Sequence, residues 1–400
     1  MNLEPIINIQ LNAQDHTLAD LPIEVLNKIF KHSRGRDLLN ISAVCKYWNT
    51  IIAESEDYMA KIRIKTDEHG KSNIRSLKKL LQETTRKYQH LSIRNAYDFD
   101  QDFKVMSFNW KSIHLTRLTY SGKFITFLNN FSETLQEVEM FDLNFNSIEA
   151  VPVVHFPQLR ILKISCSRVE STFGIGVFKS ALSHLTELSI SYEAFHEIFR
   201  NGATANMKIK LKKLEISRKY EHLKTLDMVE DFLKTQKNCL EEIKLDSLEK
   251  TTLEVLWNEM KVIKKVTIGS RDVDIATCLK LNTNQTIQEL RVQSNDVGDT
   301  IYERIFDATP NLRSLIVPKI DQNLLEVASQ NLKKLEYLHC WNITTDYPNG
   351  NVKFKSLKRI AFCDFTTSNE ASNKVLKGLT FIEQKQRVLK WLTKGKTNKQ

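Results

Sequence analysis

Leu159-Arg160-Ile161-Leu162-Lys163-Ile164 is one copy of a short phrase that runs through most of the chain: an apolar residue, two variable ones, an apolar one, one variable, and another apolar one. It recurs as Leu135…Val138…Met140, Leu185…Leu188…Ile190, Leu211…Leu214…Ile216, Leu240…Ile243…Leu245 and Ile263…Val266…Ile268. Further on come Ile287…Leu290…Val292, Leu312…Leu315…Val317, Leu332…Leu335…Tyr337 and Leu357…Ile360…Phe362, and weaker copies start at Met59, Tyr88 and Trp110. Successive starts lie 20 to 29 residues apart, about 25 on average. A fixed period of that size marks stacked supersecondary units. Alternation inside the phrase predicts a short strand whose second and third apolar residues point into a core. Between phrases, Val229, Phe232 and Leu233, or Ile301, Ile305 and Phe306, keep helical spacing. One strand and one helix per unit give an α/β solenoid in which each unit covers the apolar face of the next.

The array resembles the leucine-rich-repeat family. Ile287, Leu290, Val292, Asn295 and Val297 fit that family's longer signature, and Leu332, Leu335, Tyr337, Cys340 and Ile343 fit its cysteine form. A polar residue or Cys at the ninth place bonds backbone where the chain leaves the strand. Other units have Leu143, Lys219, Leu248 or Arg271 there. The resemblance implies a horseshoe with parallel strands on the concave face and helices outside.

The first 55 residues do not share this period. Pro22 suits a first helical turn and Glu24 the positive end of that helix. Leu21, Val25, Leu26 and Ile29 form one apolar stripe. Asp37 is placed to cap a second short helix carrying Leu38, Leu39 and Ile41, and a third starts near Lys46 with Trp48, Ile51 and Ile52. A unit of about 40 residues cannot bury that much apolar surface by itself. It needs the solenoid on one side and a partner on the other. L-P-x-E-V-L-x-x-I-F over Leu21–Phe30, then Asp37-Leu38-Leu39 and Val44-Cys45-Lys46-Tyr47-Trp48, resembles an F-box.

An F-box followed by leucine-rich repeats implies a substrate receptor of a Skp–cullin–F-box ubiquitin ligase. In that family a three-helix F-box clasps the Skp adaptor, which joins a cullin, and the repeats hold a protein substrate. The matching adaptor contacts are Leu21, Pro22, Val25, Leu26, Ile29, Leu38, Leu39, Val44, Cys45 and Trp48. The chain departs from the pattern at His32-Ser33-Arg34-Gly35-Arg36, where family members continue with a hydrophobic residue and a proline. A simpler reading of the same residues is an N-terminal cap on a protein-binding scaffold with no ligase role.

Eleven glycines and seven prolines in 400 residues fall well below the average share of about 12%, which excludes collagenous and linker-rich classes. No stretch approaches 18 uncharged apolar residues, so a membrane-spanning helix is excluded, and the opening residues lack a secretory pattern. Six cysteines (Cys45, Cys166, Cys239, Cys278, Cys340 and Cys363) lie far apart. They read as small buried hydrophobes in a reducing compartment, cytoplasm or nucleus, rather than as disulfides or zinc ligands. The expected organisation is a flexible N-terminus over 1–17, the F-box over 18–55, the solenoid over 56–380, a capping helix over 381–392 and a basic tail over 393–400. That helix places Phe381, Ile382, Val388, Leu389 and Leu392 on one side.

No catalytic constellation stands out. His196-Glu197-Ile198-Phe199-Arg200 has Arg where a zinc-protease phrase needs its second ligand. Gly174-Ile175-Gly176 lacks the third glycine of a dinucleotide loop, and Lys179 lacks the preceding glycine of a phosphate loop. The sequence therefore reads as a non-catalytic adaptor with no cofactor. Its net charge is +10, and basic residues outnumber acidic ones at the outward places of the phrase. Lys333, Lys334, Lys358 and Arg359 form the most one-sided cluster, which suits an acidic or phosphorylated protein segment. Few aromatics and interrupting glutamates at those places argue against nucleic acid.

Overall fold

The computed structural model describes residues 21–65, 77, 79, 81–84, 86–94, 108–117, 119–120, 122–145, 154–166, 173–199, 209–217, 227–246, 249–269, 279–294, 299–345, 352–367, 372 and 381–394. Four helices open the described chain: α1 (Ile23–His32), α2 (Gly35–Ser42), α3 (Lys46–Glu54) and α4 (Glu56–Met59). Strands β1 (Arg63–Lys65), β2 (His90–Arg94), β3 (Ser112–Thr116), β4 (Thr119–Tyr120), β5 (Glu137–Phe145), β6 (Ile161–Cys166) and β7 (Glu187–Ser191) follow. Then come β8 (Lys213–Ser217), β9 (Glu242–Leu245), β10 (Lys265–Ile268), β11 (Glu289–Val292), β12 (Ser314–Ile320), β13 (Tyr337–Thr345) and β14 (Arg359–Thr367). All but β4 lie in chain order on one open sheet, each parallel to the next, and β4 pairs with β5. Parallel neighbours need a crossover, and helices such as Asp227–Thr235, Lys250–Asn258, Asp299–Ala308 and Gln322–Asn331 supply several of them. The expected α/β repeat architecture is present as thirteen rungs.

Register follows the phrase. Its third place aligns laterally through Glu137, Ile161, Glu187, Lys213, Glu242, Lys265, Glu289 and Ser314. Among the described residues the fourth and sixth places are buried, for instance Leu162 and Ile164, Leu188 and Ile190, and Leu290 and Val292. Val229, Phe232, Leu233, Ile301, Ile305 and Phe306 from the helices join them in one continuous core. Burying one such side chain stabilises the fold by roughly 1.5–3 kcal/mol.

Two copies sit in a different frame from the sequence expectation. Ser314 pairs with Tyr337 and Tyr337 with Arg359, so the phrase of β13 is Leu335…Leu338…Cys340 and not Leu332…Leu335…Tyr337. Apolar residues at 332, 335 and 338 make two overlapping frames. Packing selects the one that buries Leu338 and Cys340 and leaves Tyr337 half-buried. Leu332, also buried, instead closes the helix Gln322–Asn331 as its C-cap. Cys340 is therefore a core residue at the sixth place and not a ninth-place backbone ligand, and burial drives its thiol pKa far up. At the other end Arg63 pairs with His90, which leaves Met59 to α4 and makes Ile62 and Ile64 the buried residues of the first rung. Asn295 and Val297 lie outside the described residues.

Buried amides join one unit to the next. Gln236 donates to the Ile209 carbonyl (3.1 Å) and accepts from the Leu211 amide (3.0 Å), while fully inside the protein. Asn284 donates to the carbonyls of Trp257 and Met260, 3.2 Å each, and accepts from the Thr286 amide. Both precede their phrase, where the sequence reading looked after it. The helix Phe381–Lys394 closes the last rung with Val388, Trp391 and Leu392 buried, and the Leu392 carbonyl accepts from the Phe354 amide at 2.7 Å. The expected flexible start over 1–17 lies outside the described residues, as does the tail beyond 394. Cys363 is exposed, unlike the buried thiol expected of it, and Cys45 and Cys239 are half-buried.

Candidate functional site

The helical head has two faces. On α1, Leu26 and Phe30 are one turn apart and point inward, while Val25 and Ile29, also one turn apart, point out. Leu38 of α2 and Trp48 and Ile52 of α3 complete the inner side. Phe30 meets Trp48 edge-on at 5.7 Å and Tyr58 edge-on at 5.9 Å. Tyr58 donates to Asn27 Oδ1 at 2.8 Å, and burial, with help from Asp57, raises its phenol pKa. Tyr58 belongs to α4, whose N-cap Ser55 accepts from the Tyr58 amide. The head thus has four helices and ends at Met59, where three helices ending near 55 were expected.

The outer side is apolar. Ile23, Val25, Ile29, Leu39, Val44 and Tyr47 are 37 to 64% exposed, and six of the seven large hydrophobics so exposed among the described residues fall in this short head. Patches of that kind mark interaction surfaces. Of the residues assigned to adaptor contact from sequence, Val25, Ile29, Leu39 and Val44 form this surface, Pro22 is exposed at its edge, and Leu21 is half-buried against the core. Cys45 is also half-buried, and its Sγ caps α3 by accepting from the Trp48 amide at 3.4 Å. Leu26, Leu38 and Trp48 are corrected: they are buried within the head and shape the surface from beneath. Ile23 and Tyr47 are exposed in the same head and went unassigned; Ile23 lies three residues before Leu26, near that side of α1, and is exposed all the same. Asp37 lies in the first turn of α2 without capping it, and Arg34 holds the N-cap place.

Within the departing stretch His32–Arg36, the glycine has a structural reason. Gly35 begins α2 against the backbone of Lys61, and a Cβ there would stand 1.9 Å from the Lys61 carbonyl oxygen. Arg86 ties the same region down by donating to Ser42 Oγ at 2.8 Å and to Asn49 Oδ1. The Lys61 ammonium donates back to the Lys31 carbonyl. The head is packed onto the first rungs, and its exposed apolar side chains are left uncovered by them.

The outer face of the sheet is laced with ion pairs between neighbouring rungs. Glu139 takes both His114 (2.6 Å) and Lys163, Glu242 takes Lys213 (2.9 Å), Glu241 takes Lys264 (2.6 Å) and Glu215 takes Lys244. Burial pushes the Glu139 carboxyl up, but hydrogen bonds from Lys163 and His114 outweigh it and hold the group below its ordinary range. Hydrogen bonding to Lys264 likewise lowers Glu241. Each exposed pair contributes about 0–1 kcal/mol, so the ladder neutralises the face more than it stabilises it.

The expected basic cluster divides. The frame of β13 moves Lys333 and Lys334 off the strand into the preceding turn, where they donate to the Ser329 carbonyl (3.2 Å) and Asn311 Oδ1 (2.8 Å). Lys358 alone of the four is in an ion pair among the described residues, with Glu336 at 2.7 Å, which also has Arg313 at 3.8 Å; Arg359, on the strand itself, has none. Among the described residues no group of three His, Cys, Asp or Glu side chains is placed to hold a metal ion, and no helix is long and apolar enough to cross a membrane.

The family described as F-box-like matches residues 18–58, one residue short of the end of α4. The chain therefore carries an F-box-like domain at its head. No curated protein matches the chain at a significant level.

Proposed function

We propose that this chain is a substrate receptor of a Skp–cullin–F-box ubiquitin ligase, with the head docking on the Skp adaptor and the repeat array holding a protein to be modified. The observation that carries this reading is the exposed apolar surface of the F-box-like head, six large side chains left open to solvent within one short stretch. Domains of this kind serve protein–protein assembly in such ligases, and an adaptor covering Val25, Ile29 and Val44 supplies the burial that the small head lacks. We take the thirteen rungs as leucine-rich repeats and their partner as an acidic protein segment. The chain acts without catalysis of its own. It raises the local concentration of the substrate beside a ubiquitin-loaded enzyme brought by the other subunits, in the cytoplasm or nucleus where those subunits work.

The test is co-expression with a Skp adaptor, size exclusion, and mass determination of the complex. A one-to-one complex that is lost on changing Val25 and Ile29 to Glu supports the assignment. A soluble chain that ignores the adaptor reduces the head to a cap on a protein-binding scaffold.

A further inference from the structure

Setting β13 in its observed frame changes what that strand presents. Tyr337, His339 and Trp341 occupy alternate places on its outer side, with Leu338 and Cys340 buried between them. The Tyr337 and His339 rings lie 6.3 Å apart. Each has one slim lateral neighbour and one larger: Ser314 and Arg359 flank Tyr337, and Ala361 and Ile316 flank His339. Trp341 is 43% exposed, the one large hydrophobic so exposed outside the head among the described residues. The chain's other four tryptophans, Trp48, Trp110, Trp257 and Trp391, are all buried. Elsewhere on this face several outward places hold charges paired between rungs, such as Glu139 with Lys163 and Glu215 with Lys244.

The charges around the column are not balanced. Glu289 is engaged by Lys265 at 3.5 Å, and Glu336 by Lys358 and Arg313. Arg291 on β11, Lys319 on β12 and Arg359 on β14 have no ion pair among the described residues, and Asp364 is the opposing carboxylate at the border. Burial first, then Arg291 and Lys385 of the C-terminal helix, keeps the His339 pKa below its ordinary value, so at neutral pH the ring is an uncharged member of the column.

We propose that this column is the docking site for an extended, acidic segment of the partner protein, with an apolar side chain of the segment seated on Trp341 and its carboxylates on Arg291, Arg359 and Lys319. The proposal rests on the reading that the array holds the substrate, and it names the place and the chemistry. Strands stand about 4.8 Å apart, so β11 to β14 spans about 14 Å, which an extended chain crosses in about four residues. Cations that far apart meet separate carboxylates along a segment; a single phosphate draws its arginines together on one group. Single-stranded nucleic acid needs a continuous basic track beneath stacked bases, and Glu289, Glu336 and Asp364 interrupt one here.

The full chain tests this with a fluorescein-labelled ten-residue peptide of glutamates around a central Phe. A second peptide has Gln for every Glu, a third has one phosphoserine in a neutral background, and a ten-nucleotide oligouridine completes the set. Anisotropy reports binding, and acrylamide quenching of tryptophan emission reports cover of the single exposed indole. The acidic peptide is expected to bind, to shield Trp341, and to lose at least tenfold in affinity on Trp341→Ala, on Arg291→Glu with Arg359→Glu, and on the change of Glu to Gln in the peptide. Tighter binding of the phosphopeptide or of oligouridine overturns the proposal, as does acidic-peptide binding that ignores both variants. Circular dichroism and retained adaptor binding of the variants show an intact fold, which separates failure of this site from failure of the head.

Discussion

Truncating three side chains on the outer face of the head, Val25→Ala, Ile29→Ala and Val44→Ala in one variant, separates recognition from folding. These residues are 40, 46 and 64% exposed, whereas Leu26, Phe30 and Leu38, which hold the helices together, are left untouched. Burial of a whole Val or Ile side chain is worth roughly 1.5–3 kcal/mol, so covering the part still in water contributes about 1 kcal/mol at each position. Alanine keeps one methyl of each, which brings the expected loss on adaptor binding to about 2 kcal/mol, or roughly a thirtyfold rise in Kd. Titration calorimetry against a purified Skp adaptor reads this directly, with far-ultraviolet circular dichroism as the check on folding. Leu26→Ala is the contrasting variant: it opens a cavity inside the head and should cost roughly 2–5 kcal/mol of stability. An adaptor affinity within threefold of wild type for the triple variant, with the fold intact, refutes the assignment of this face.

Three further outcomes follow from particular contacts. Gly35→Ala forces the head off the Lys61 carbonyl, which stands 1.9 Å from the new Cβ, and should destabilise the junction by about 1–3 kcal/mol; unchanged hydrogen exchange across α2 and α4 contradicts this. Gln236→Leu leaves the Leu211 amide and Ile209 carbonyl without their buried partner, a cost of roughly 2–4 kcal/mol, read as a lower urea midpoint and faster exchange of the Leu211 amide. His90 has a lowered pKa, from burial first and Arg63 second, and its Nδ1 is buried without a partner. The unfolded chain then takes up the proton first, so the His90 contribution is complete above about pH 6.5 and is lost as pH falls toward the folded value. Melting temperature should drop between pH 7.5 and 5.5, and His90→Gln should flatten that slope.

Much of this molecule is written in its local pattern. Alternating apolar residues specify a strand wherever they occur, and nine of the ten clear phrases, such as Leu159…Leu162…Ile164, stand in the structure at their expected register. Helical spacing placed Phe232 and Ile305 in the core for the same reason: a side chain's face is set by its position in the period. In the head, period and composition named Val25 and Ile29. They could not tell them from Leu26, because α1 is apolar on both sides and only the packing of Phe30 against Trp48 and Tyr58 decides which side is inner.

Tertiary structure decided what depends on partners remote in sequence. At Leu332-Lys333-Lys334-Leu335-Glu336-Tyr337-Leu338 two frames fit equally well, and the lateral pairing of Tyr337 with Ser314 and Arg359 selects one. That choice moves Lys333 and Lys334 off the face and brings Tyr337 and His339 onto it. The cross-rung ion pairs, which leave Arg291 and Arg359 without a carboxylate while neighbouring lysines have one, depend on which rungs are adjacent. So does the demand for glycine at Gly35, which arises from a carbonyl 26 residues further along the chain. Periodicity fixes the side of an element a residue occupies; only the assembled neighbours fix whether that side is covered, paired or open.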